Sequence, residues 1–144
     1  MTLEERIAQA DALRARNTVI DRYASESFEV LWTEITEITS EAKIKRFPEL
    51  LTRGAVGCGR KEIILPIVSP SKETYVAPRT VTLNLDRNTR TISAVGNTGT
   101  YTTLALDLDE NQTVCLIHKE EPVSAKDAAM LIVDRLLFPE LQPA

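Results

Sequence analysis

Histidine occurs once in this 144-residue chain, cysteine twice and glycine five times. One histidine and two scattered cysteines fall short of the four ligands a structural zinc site takes, so no metal and no cofactor is expected. No apolar run approaches the roughly 20 residues of a membrane span. The start Met1-Thr2-Leu3-Glu4-Glu5 lacks the basic opening and apolar stretch of a secretory signal. The expected setting is therefore the cytoplasm, with both thiols reduced, although spacing alone leaves a Cys58–Cys115 bridge open. Aromatic residues make up only 5% of the chain and the net charge is −4. Both argue against nucleic acid as a partner.

What is present suits one globular domain over residues 1–144, with ordinary apolar (43%) and charged (26%) fractions. Its charge is unevenly spread. Residues 1–52 hold seven Lys/Arg against ten Asp/Glu, residues 53–119 eight against six, and residues 120–144 two against five. The middle is slightly basic and the ends acidic, which a solvated surface explains without a partner.

The N-terminus opens with a capping box, Thr2 as N-cap and Glu5 at the third helical position. Leu3, Ile7, Ala10 and Leu13 then recur at helical spacing. Near Arg16-Asn17-Thr18 the stripe loses register, where Asn17 can end one helix and Thr18 cap the next. Two helices or one long bent helix both fit. Phe28, Leu31, Trp32, Ile35, Ile38 and Ala42 build a broad apolar face, opposed by Glu29, Glu34, Glu37 and Glu41. Lys43, Lys45 and Arg46 suit the last turns, and Pro48 marks the stop.

After a glycine-rich connection at residues 52–60 the period changes to two. Ile63-Ile64-Leu65 and Ile67-Val68 flank Pro66, which predicts an edge or interrupted strand. Ser69-Pro70-Ser71-Lys72 reads as a turn. Val81, Leu83 and Leu85 then alternate with Thr80, Thr82, Asn84 and Asp86. Strands at 89–95, 100–108 and 112–118 follow, separated by turns at 86–88, 96–99 and 109–111. Links so short join only antiparallel neighbours. Ser124 and Asp127 form a second helix start, with Ala129, Ile132, Val133 and Leu136 on one face and Pro139 at the end. The expected fold class is α+β: N-terminal helices, a five-stranded antiparallel meander, and a C-terminal helix packed on one face of the sheet.

Four motifs invite chemistry. Gly54 and Gly59 have the spacing of a phosphate-binding loop, but Arg60 and Lys61 stand where Lys and Ser/Thr belong, and the loop follows a helix and precedes a strand. A connector explains it better; a looser anion site would use Arg60 and Lys61 with bare backbone amides. Cys115 and His118 lie three apart on one strand, which points them to opposite faces. Asp107-x-Asp109-x-Asn111 opens like a calcium loop and then lacks its Gly and Glu, so turn chemistry accounts for it. Arg79, Arg87 and Arg90, with Tyr75 and Tyr101 nearby, resemble a strand-borne basic patch, for which solvent-facing residues are the simpler reading.

The leading functional expectation is a non-catalytic protein-interaction domain of adaptor, chaperone-like or immunity type. Its partner would be a second copy or another protein, met through the thin, alanine-rich stripe of residues 3–24. The second is a small-molecule module with an apolar pocket between the long helix and the sheet, lined by Trp32, Leu83 and Leu106. The third is a small enzyme using dispersed carboxylates such as Asp86 and Asp107.

Overall fold

A computed structural model describes residues 1–66, 78–97 and 99–141. The whole N-terminal third is one helix, α1 (Leu3–Lys45). No glycine or proline interrupts those 43 residues, and at 1.5 Å per residue they span about 65 Å. The capping box is complete: Glu5 N–H donates to the Thr2 hydroxyl (3.1 Å) and Thr2 N–H donates to the Glu5 carboxylate (3.3 Å). Residues 17 and 18 do not cap a second helix. Thr18 donates its hydroxyl inward to the Arg14 carbonyl (2.8 Å), and Asn17 accepts from the Arg16 guanidinium (3.0 Å). Local side-chain bonding that can end a helix is here satisfied within it. The expected pair of N-terminal helices is thus corrected to one continuous helix, which the sequence left open as the alternative.

Among the described residues the sheet contains seven strands, which corrects the expectation of five. They are β1 (Leu51–Arg53), β2 (Arg60–Leu65), β3 (Arg79–Asp86), β4 (Thr91–Gly96), β5 (Gly99–Leu108), β6 (Val114–His118) and β7 (Glu121–Val123). Each pairs antiparallel with its neighbour in chain order. The two unexpected strands are the edges, three residues each, too short for an alternation to register. Proline sits inside β7, a position open to it only at an edge. Strand β2 ends at Leu65, just before Pro66. Ile67, Val68 and the turn at residues 69–72 lie outside the described residues, as do Tyr75 and Thr98.

Register places the apolar residues on one face. Ile63 opposes Val81, Leu83 opposes Ala94, Ile92 opposes Leu104, and Leu106 opposes Leu116. A bulge between Ala94 and Val95 leaves Tyr101 as the extra residue of β5, and its ring packs against the core. Aspartates close two turns. Asp86 accepts the N–H groups of Asn88 and Thr89, and Asp109 those of Asn111 and Thr113. The calcium-like letters are thus engaged in a hairpin.

The second helix, α2 (Ala125–Leu137), is capped by Ser124, whose hydroxyl accepts from Asp127 N–H (3.1 Å). It buries Ala128, Ala129, Ile132, Val133, Leu136 and Leu137, so the expected face is present and wider by two residues. Ile20, Ala24, Phe28, Leu31, Trp32 and Ile35 of α1 join it in a single core against the sheet. Residues 23–30 of α1 lie beside the start of α2 and residues 38–46 beside its second half, so the two helices run in the same direction. Among the described residues no helix is long and apolar enough to cross a membrane.

Candidate functional site

Three features stand out: a buried cation in the glycine loop, a groove beside α1, and the uncovered beginning of α1. Lys61 alternates with Ile63 and Leu65 along β2, which turns its side chain toward the helices. It is wholly buried (0% exposed). Its ammonium pairs with Glu29 of α1 (2.9 Å), donates to the Ala55 carbonyl (2.9 Å), and lies 5.6 Å from both the Phe28 and Trp32 rings. Glu29 also accepts from Gly57 N–H (3.1 Å). The loop between β1 and β2 is thereby clasped to the helix at both ends of one ion pair. Gly54 crosses so close that a Cβ there would stand 2.8 Å from the Lys61 stem and from the Trp32 ring. Gly57 has φ +82°, a conformation that favours glycine.

The two residues of the anion reading, Arg60 and Lys61, stand in different surroundings. The Lys61 charge is already matched by a carboxylate inside the protein, while Arg60 is exposed at the strand end. The contacts of Lys61 and Glu29 hold the loop against α1. Trp32, Leu83 and Leu106 are brought together, but as core: all three are buried, and none lines either groove described below.

The carboxylates of the enzyme reading hold structural positions. Backbone N–H groups of Thr89 and Asn88 hold the Asp86 carboxyl below the usual range. Arg16 does the same for Asp107, to which it donates at 2.8 Å. Groups kept ionised in this way are poorly suited to give up protons near neutral pH. The Cys115 thiol is pushed up, first by burial and then by Asp107 and Asp109, which disfavours the thiolate. Both cysteines are free; Cys58 is exposed, and His118 ends the strand that holds Cys115. Arg87 and Arg90 of the basic patch are tied to α1. Arg87 donates to Ser25, and Arg90 grips Asp21 with two bonds of 2.8 and 2.9 Å.

A groove of about 580 Å³ runs between α1, the start of β6 and the entry to α2. Tyr23, Ser27 and Val30 form one wall; Val114, Leu116 and Val123 supply apolar surface opposite, with Cys115 and Ser124 at the margin. A second hollow of about 390 Å³ lies farther along, between Ile38, Ala42 and Phe47 of one segment and Met130, Val133 and Phe138 of the other. Tyr23 and Val30 escaped the sequence reading because they lie off the main apolar stripe of α1. A second, shallower stripe was the available signal.

Among the described residues, neither sheet nor helix packs against residues 3–15 of α1. All are exposed except half-buried Ala10. Leu3, Ile7 and Leu13 are 73%, 52% and 53% exposed. The arm starts where Arg16 reaches Asp107, the first tie between α1 and the sheet. Comparison of the chain with protein-family models, with curated proteins and with solved structures finds no match.

Proposed function

We propose that this chain is a non-catalytic protein-interaction domain that associates with a second copy through residues 3–15 of α1. One observation carries the reading: the helix continues for thirteen residues past its own core while keeping an apolar stripe, and that stripe has no cover among the described residues. A free helix of this length is marginal in water, and packing of its apolar side is the usual source of its stability. Anchoring at Ile20 onward holds the arm extended before it meets a partner, which lowers the entropic cost of docking. The engaged states of Asp86, Asp107, Lys61 and Cys115 favour binding over chemistry. Adaptor, chaperone-like and immunity-type roles all belong to this class, and the free thiols suit a cytoplasmic setting. Sedimentation equilibrium over a wide concentration range tests it. Mass should rise from 16.0 kDa toward twice that value. A Leu3→Glu/Leu13→Glu chain should stay monomeric with unchanged circular dichroism. A wild-type chain that remains monomeric at millimolar concentration would refute the reading.

A further inference from the structure

We propose that the groove beside α1 is a binding site for a small amphipathic organic cation, an apolar body carrying an ammonium or amidinium group. The site is independent of self-association, because none of its lining residues belongs to the arm. Size comes first. One turn of helix, roughly 10 Å across and 5.4 Å long, fills on the order of 420 Å³. A hollow of about 580 Å³ therefore holds little more than one turn of a partner helix. It does lie within the range of about 300–1,000 Å³ that small-molecule sites occupy.

The lining combines an apolar bed with charge of one sign. Tyr23, Glu26, Ser27 and Val30 are spaced by three and four along α1, so their side chains form one contiguous patch. Val30 shares the groove with Val114, Leu116 and Val123, which together provide the bed for an apolar body. Tyr23, 43% exposed, adds a ring that accepts an apolar group or a cation. Glu26 is exposed at the rim. No lysine or arginine is among the lining residues; Arg22, one turn before Glu26, stays outside them. Among the described residues Glu26 has no ion pair, whereas Asp21 and Glu29 of the same stretch are held by Arg90 and Lys61. The opposite margin has the same sign. Burial raises the Cys115 thiol first, and Asp107 and Asp109 push it up further. The positive end of α2 also borders the groove, but Ser124 and Asp127 already answer it. A ligand cation is thus attracted from two margins, and a carboxylate of the same shape is repelled.

The site is tested with three probes that share one body: phenylbutylamine, phenylbutanol and phenylbutyrate. Each is titrated into the full chain with labelled methyl groups and followed by NMR. The amine should shift the methyl resonances of Val30, Val114 and Leu116, and should bind at least tenfold more tightly than the carboxylate. Glu26→Gln should weaken the amine about fivefold, strengthen the carboxylate and leave the alcohol unchanged. A variant that had merely lost structure would weaken all three probes together, so the opposite signs isolate the charge. Val30 is about half exposed, so Val30→Arg fills the groove without touching the core. It should abolish binding of the amine with circular dichroism unchanged. Equal affinities for amine and carboxylate would overturn the site. So would shifts confined to the second hollow, at Met130 and Phe138, or no shift at millimolar amine.

Discussion

Leu31 and Leu13 stand on the same side of the same helix, and their fates are opposite. Leu31 is fully buried; Leu13 is 53% exposed. Nothing local separates them, because both lie in helix of ordinary sequence free of glycine and proline. The difference is what lies underneath. From Ile20 onward α1 has a sheet to cover, with Asp21, Ser25 and Glu29 each tied to a successive part of it: the turn between β3 and β4 through Arg90 and Arg87, then β2 through Lys61. Before Arg16 the sheet has ended and the stripe goes on. An apolar stripe states that a helix will be covered, and only the rest of the fold says by what.

The comparison is broken most forcefully in the anchored half. Leu31→Ala should destabilise the chain by about 4 kcal/mol in urea unfolding, as for other fully buried leucines. Glu29→Ala should cost about 3 kcal/mol, because it strands the Lys61 ammonium inside the core. Adding Lys61→Met should recover most of that loss, which separates a stranded charge from lost packing. Gly54→Ala should cost about 1.5 kcal/mol by pushing its new Cβ into Lys61 and Trp32. Leu13→Ala, measured in dilute monomer, should change stability by less than about 0.5 kcal/mol. A large loss there would mean that the arm is packed within its own chain.

The junction between the halves gives the smallest effect. Arg16 lowers the folded pKa of Asp107 below its ordinary 3.8. The ion pair therefore stabilises the fold fully above that ordinary value, and its contribution disappears as pH falls through the lowered one. Because both side chains are more than a third exposed, a few tenths of a kcal/mol is expected. Asp107→Asn should show that deficit at neutral pH and converge on wild type as the pH falls below the lowered Asp107 value.

Much of this contrast is legible in residues. The Thr2–Glu5 box, the Phe28–Ile35 face, the Val81–Leu83 alternation and the Ser124 cap are all local patterns, and each forms where its pattern lies. Three features are not local. In sequence Lys61 reads only as a partner of Arg60 in a loose anion site, and its burial depends on Glu29 arriving from 32 residues away. Strands β1 and β7 are too short to show a period and exist because the sheet offers an edge to pair with. The groove is assembled from three elements, and neither Tyr23 nor Val30 lies on a stripe strong enough to announce it.

Amide exchange along α1, followed from nanomolar to high micromolar protein, compares the two halves directly. Amides from Ile20 to Lys45 should exchange at the slow rate of global unfolding at every concentration. Those of the arm should exchange fast when dilute and slow progressively as copies pair. Arm exchange that stays fast across the whole range would contradict the account, because the exposed stripe would then be uncovered even when its proposed partner is abundant.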